Sequence, residues 1–229
     1  MRLWDPLALR EMAALLGDPV FRGRGVRHGD GRPVLLIPGF LSGDWSLRVL
    51  HNWLQRVGYT SYLSGIQLNV QHSENLIASL RKRLAQVEKE SGRRVSLVGH
   101  SRGGVLAKVL SHRQPELVEQ LITLGSPLHD PFDVHPLTMA GVRAAHVFNV
   151  FRYGHPASVE KRFLRDLAAP PRVPTTSIYS RTDGVVNWKA CLRPDVNAIE
   201  VRGSHVGLAL NPEVYRILAQ LLTAPWRHT

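Results

Sequence analysis

The stretch Leu97-Val98-Gly99-His100-Ser101-Arg102-Gly103-Gly104 joins a short apolar run to a segment with helical spacing through Val105, Leu106, Val109 and Leu110. Within it lies a Gly-x-Ser-x-Gly pentapeptide. A serine placed this way sits on a sharp turn from strand to helix and is presented outward at the end of the strand. The flanking glycines let the chain turn tightly and let neighbouring elements come close. A five-residue pattern recurs by chance, so its weight depends on what surrounds it.

Upstream, Val34-Leu35-Leu36-Ile37 reads as a strand buried on both faces, and it closes on the glycine-bearing loop Pro38-Gly39-Phe40-Leu41-Ser42-Gly43. From Ser46 to Val57 the spacing of Leu47, Leu50, Trp53 and Leu54 is helical, with Gly58 as the expected stop. Tyr59 to Leu63 reads as a strand and Ser73 to Ser91 as a helix with Leu76, Leu80, Leu84 and Val87 on one face. Downstream, Leu117 to Leu124, Thr176 to Ser180 and Ala198 to Val201 read as strands, and Pro212 to Leu222 as the final helix. Alternation of this kind predicts an α/β fold, with a mostly parallel central sheet covered by helices on both faces. Two segments stand outside the rhythm. Residues 1–27 form an amphipathic helical extension around Leu7, Leu9, Met12, Leu15 and Leu16, and residues 128–170 form a proline- and histidine-bearing, lid-like insertion with modest helical patterning at 142–151 and 159–167.

The 229 residues suit a single domain, 1–229, with a substantial core. No apolar run is long enough to cross a bilayer, and the opening Met1 to Pro6 lacks the apolar core of a secretory signal. The single cysteine, Cys191, excludes an intramolecular disulfide, reads as a small buried hydrophobe, and makes a cytoplasmic location the expectation. The net charge of +11 is scattered and arginine-heavy, with no helix-turn-helix, zinc-knuckle or aromatic RNA-binding pattern beside it. That argues against nucleic acid as a partner and leaves weak contact with anionic membrane surfaces as an expectation.

A serine hydroxyl needs a base within reach and a third group to orient that base. The chain offers Asp183 just past one late strand and His205 just past the next, in Gly203-Ser204-His205-Val206-Gly207. Parallel strands share a carboxyl edge, so both loops emerge where Ser101 does.

These residues resemble those of the α/β-hydrolase superfamily, of the serine esterase and lipase type. The Pro38-Gly39-Phe40 loop, the Gly99–Gly103 elbow, the run Thr123-Leu124-Gly125-Ser126-Pro127, and the Asp183 and His205 loops all match, from about residue 33 onward. The resemblance implies Ser101 as nucleophile, His205 as general base and acid, Asp183 as the carboxylate holding the imidazole, and an oxyanion hole from the backbone N–H groups of Phe40 and Arg102. It implies carboxylic ester hydrolysis through an acyl-enzyme without metal or organic cofactor, acting on a small-molecule or lipid ester. A thioesterase or acyltransferase would use the same triad, and a catalytically silent binding protein would keep the fold.

Several residues carry competing readings. Asp130 and Asp133 rival Asp183, because an acid after the preceding strand is a variant of this fold. His100 reads as a buried neighbour of the site rather than its base. The run His129 to His135 matches no defensible zinc spacing. Phe40, Leu41 and Trp45 are candidate substrate-lining residues, while Asp44 is expected to cap the helix that follows. The Arg102 side chain departs from the family's usual residue and offers a guanidinium for a substrate carboxylate or phosphate, or for a structural acid.

Overall fold

A computed structural model describes residues 6–136, 139–141 and 157–223. Six strands, β1 (Pro33–Ile37), β2 (Thr60–Leu63), β3 (Val95–His100), β4 (Val118–Leu124), β5 (Thr175–Tyr179) and β6 (Asn197–Glu200), form one sheet in the order β2-β1-β3-β4-β5-β6, and each neighbouring pair is parallel. The helices are α1 (Pro6–Gly17), α2 (Arg48–Arg56), α3 (Ser73–Ser91), α4 (Arg102–Arg113), α5 (Ala157–Ala168) and α6 (Pro212–Thr223). The strand order reverses between β1 and β3. A crevice opens at such a reversal, outside the carboxyl ends of the strands, and here the Pro38 loop and the Ser101 turn flank it.

Successive strand residues face opposite ways, so an unbroken apolar run feeds two cores. Val34, Leu36, Val98, Ile122 and Ile178 pack with Leu15, Leu50, Trp53, Tyr215 and Leu218 on one face. Leu35, Ile37, Leu97 and Leu121 pack with Leu76, Leu80, Val105, Leu106, Phe163 and Leu167 on the other. Trp53 anchors the first core: its ring lies 4.6 Å from that of Tyr215, and its Nε1 donates to the Val20 carbonyl at 2.7 Å. The second face is tied by Arg113 of α4, which makes a bidentate pair with Glu74 of α3 and a 2.7 Å bond to Asp166 of α5. Among the described residues no helix is long and apolar enough to cross a membrane.

The expected elements appear within a few residues of their sequence-read bounds, with two informative differences. The segment expected as one helix over 46–57 is a 3-10 turn, Asp44–Leu47, followed by α2. Asp44 does not cap it, contrary to expectation. Its carboxylate reaches across to the loop after β2, where it accepts from Ser64 N (3.2 Å), Ser64 Oγ (2.6 Å) and Gly65 N (2.7 Å). With its side chain committed elsewhere, the entry turn closes on i→i+3 bonds instead. In the N-terminal region, α1 buries Ala8 and Leu15 but leaves Leu7, Leu9 and Leu16 about half exposed. The patterning expected over residues 142–151 lies outside the described residues. The helix near the expected 159–167 patterning, α5, covers the sheet through Phe163 and Leu167, while Gly141 approaches the Phe40 ring.

Candidate active site

Ser101 stands between β3 and α4 with φ 53° and ψ −126°, a backbone conformation that L-residues avoid. The surroundings enforce it. The Ser101 N–H donates to the Leu124 carbonyl at 2.8 Å, and its own carbonyl accepts from Gly104 N at 2.9 Å to start the helix. A Cβ on Gly99 would lie 2.5 Å from the Gly104 Cα, and one on Gly103 2.2 Å from the Ile37 carbonyl oxygen. Both glycines are therefore required by close backbone approach, as the sequence pattern implies.

His205 and Asp183 arrive on the loops after β6 and β5. The His205 Nδ1 lies 2.6 Å from the Asp183 Oδ2, and both side chains are almost fully buried. The other Asp183 oxygen accepts from the backbone N–H groups of Val185 and Val186 at 2.8 Å each, which fixes the carboxylate's orientation. The His100 and His205 rings lie 4.9 Å apart, which brings the imidazole of His205 to the turn that carries Ser101. His100 behaves as the sequence suggests: it is buried, its Nε2 lies 2.8 Å from the His205 carbonyl oxygen, and burial, then the nearby His205, pulls its pKa down to about 4. A neutral imidazole donating from Nε2 satisfies that geometry.

The rival acids are committed elsewhere. Asp130 is exposed and accepts from the Phe132 N–H of its own turn, while Asp133 accepts from Asn187 Nδ2 at 2.8 Å. Among the described residues no group of three or more His, Cys, Asp or Glu is placed to hold a metal ion. Cys191 is buried beside Tyr179, Val186 and Ala190, and burial pushes its thiol up to about 12.

The Phe40 N–H makes no backbone hydrogen bond among the described residues. Arg102 is the first residue of α4, one of the helix positions whose N–H has no intrahelical acceptor. Leu41 adopts φ 56°, and its N–H donates to the Asn69 carbonyl. Leu41 is 40% exposed and Trp45 57% exposed, so both line the surface rather than the core.

Three further residues shape this site, of which Asn69 has no mark in the sequence. Asn69, fully buried, donates from Nδ2 to the Pro38 carbonyl at 2.7 Å, and its backbone bonds both Leu41 and Ser42, clamping the Phe40 loop from the side. The Arg102 guanidinium turns onto this clamp. It donates to Asn69 Oδ1 (2.8 Å), the Asn69 and Gln71 carbonyls (3.2 and 2.7 Å) and Ser73 Oγ (3.2 Å), with the Phe40 ring 5.8 Å away. Its partners are neutral: two loop carbonyls, the Asn69 side-chain amide and the Ser73 hydroxyl take the place that a structural acid, one of the readings open from the sequence, would have filled. Gly125, at the end of β4, adopts φ 56°. A Cβ there would lie 3.1 Å from Asp183 Oδ2 and 3.3 Å from His205 Nδ1. Its place in Gly125-Ser126-Pro127 was the available signal. Asn69 sits in a loop with no local mark.

This arrangement of sheet, elbow and loops is the α/β-hydrolase fold, as its motifs imply. A family model described as the PGAP1-like alpha/beta domain matches residues 57–143, which include the elbow. Triacylglycerol lipases of Pseudarthrobacter phenanthrenivorans and Burkholderia plantarii are each 28% identical over 52% of this chain. The chain spans 43% and 38% of the length of these two relatives. The mature lipase BlEst2 of Bacillus licheniformis shares the fold with a TM-score of 0.65 over 91% of this chain and 97% of its own, at 18% identity. The thioesterase domain of the curacin biosynthetic pathway does so with a TM-score of 0.57 over 86% and 93%, at 15% identity.

Proposed function

We propose that this chain is a serine hydrolase of carboxylic esters. In this reading His205 Nε2 removes the proton from Ser101 Oγ, which attacks the ester carbonyl. The backbone N–H groups of Phe40 and Arg102 stabilise the oxyanion of the tetrahedral intermediate. His205 then protonates the leaving alcohol, and water hydrolyses the acyl-enzyme by the reverse sequence. Asp183 holds the imidazole with its proton on Nδ1, leaving Nε2 free as the base. The observation that carries the reading is the conjunction of a strained serine turn at the sheet's reversal point with a buried 2.6 Å His205–Asp183 bond on the same edge.

The rim supports an apolar substrate class. Leu41, Trp45, Leu68, Phe132 and Val206 are large exposed hydrophobics on loops leaving the carboxyl ends of four strands. Such a rim suits apolar acyl groups, and with the net charge of +11 it suits weak contact with an anionic lipid surface. A thioester substrate is the second reading, favoured by the fold shared with a thioesterase domain.

Labelling with a fluorophosphonate tests the enzyme. The wild-type protein is expected to react stoichiometrically at Ser101, and Ser101→Ala to give no labelling. A folded wild type that stays unlabelled overturns the proposal. Rates on p-nitrophenyl esters of graded length, set beside acyl-CoA substrates, separate ester from thioester hydrolysis.

A further inference from the structure

We infer that Glu11, on the N-terminal helix, is a positioning residue for His205, which makes α1 part of the hydrolytic apparatus. The inference rests on His205 being the base, as proposed above.

The loop Gly203-Ser204-His205-Val206-Gly207 is gripped by a second carboxylate besides Asp183, from α1. Glu11 Oε1 accepts the Ser204 N–H at 2.8 Å, and Glu11 Oε2 accepts the Ser204 hydroxyl at 2.7 Å. That hydroxyl in turn accepts the Gly207 N–H at 3.2 Å. One carboxylate thus fixes the residue before His205 directly and the residue two beyond it through the serine. The glycines make room for it: a Cβ on Gly207 would lie 1.6 Å from Glu11 Oε2, and one on Gly203 2.6 Å from Oε1. Ser204 and His205 are 6% and 7% exposed and Glu11 is partly buried, so these charge-assisted bonds are part-buried.

Other groups hold the entry to the loop. Ser180 Oγ and Thr182 Oγ1 donate to the Gly203 carbonyl, and Asn211 Nδ2 donates to the Arg202 carbonyl. From Ser204 to Gly207 the backbone is held by Glu11 through Ser204, and by His100, whose Nε2 lies 2.8 Å from the His205 carbonyl oxygen. Asp183 orients the imidazole, while Glu11 and His100 hold the backbone from which it projects from two sides. Leu15 packs α1 into the core, and the 2.6 Å Asp18–Arg216 ion pair ties the residue just after the helix to α6.

The test uses the full chain and variants Glu11→Ala, Glu11→Gln, Ser204→Ala and Arg216→Ala on a short, water-soluble p-nitrophenyl ester. Active sites are counted by fluorophosphonate titration, so that unfolded protein drops out of kcat. Glu11→Ala is expected to lower kcat per titrated site about tenfold with KM nearly unchanged, since small misplacement of a catalytic group is costly. Glu11→Gln recovers most of that loss, because its amide can accept from Ser204 N–H and donate to Ser204 Oγ. Ser204→Ala, which leaves the helix its carboxylate, lowers kcat per site in the same direction and keeps the question answerable if Glu11→Ala does not fold. Arg216→Ala, which removes the ion pair just beyond α1 without touching Glu11, retains the wild-type value. Wild-type kcat per site in Glu11→Ala or Ser204→Ala, or an equal loss in Arg216→Ala, overturns the inference alone. A wild type that fluorophosphonate does not label overturns the hydrolase reading and the inference with it.

Discussion

His100 Nε2 lies 2.8 Å from the backbone carbonyl oxygen of His205, so the residue beside the proposed nucleophile holds the main chain of the proposed base. The bond requires a neutral His100 with its proton on Nε2. Burial, and then the nearby His205, lower the His100 pKa from 6.5 to about 4. Between those values the unfolded chain binds the proton and the folded chain does not, so stability is fully present above pH 6.5 and is lost as the pH falls toward 4. The loss is on the order of 3 kcal/mol at the low end. Urea midpoints measured from pH 7 to pH 4 should fall more steeply in the wild type than in His100→Gln, whose amide can still donate to the carbonyl but does not titrate. Equal slopes would remove His100 from the account.

Gly125→Ala should damage the rate more than the fold. The new methyl group would sit against the His205–Asp183 bond and 2.8 Å from Leu208 Cδ1, at φ 56°. We expect kcat per titrated site to fall by about ten- to a hundredfold, alongside a melting temperature lowered by several degrees. An unchanged rate per site would mean that the pair accommodates the methyl group.

Asp183→Asn tests the acid against its rival. An asparagine carbonyl at this position can keep the two N–H bonds from Val185 and Val186, which turns its amide toward His205 Nδ1. That forces the imidazole proton onto Nε2, where the base must be bare. The expected loss in kcat is on the order of 10³- to 10⁴-fold. Asp130→Asn, at an exposed turn, should stay within about twofold of the wild type. Inactivity of the second variant with survival of the first would reassign the acid.

Arg102 should not choose substrates by charge. Its guanidinium is spent on Asn69, Gln71 and Ser73, and through Asn69 on the Phe40 loop. Arg102→Ala should therefore slow neutral and carboxylate-bearing esters alike, with the ratio of their kcat/KM values preserved within about threefold, while a lost direct ion pair would cost the anionic ester far more. A selective tenfold loss on the anionic ester would restore the guanidinium as a binding group.

The sequence by itself determined the sheet, the elbow and the order of serine, acid and histidine. Those signals are local: an apolar run such as Val34 to Ile37 is buried on both faces wherever it pairs, and Gly99 and Gly103 record how closely backbone must approach Ser101. What only the tertiary structure decided lies between residues far apart in the chain. Asp44 caps the loop after β2 rather than its own helix. Arg102 bonds carbonyls about 30 residues upstream rather than an acid. Glu11 meets Ser204 across 193 residues. A hydrogen-bonding side chain carries no local mark of its partner, because the partner is set by which loops the packed sheet brings to one edge. The amphipathic pattern of α1 was legible from its leucines, yet the residue by which it reaches the histidine loop is the glutamate between them.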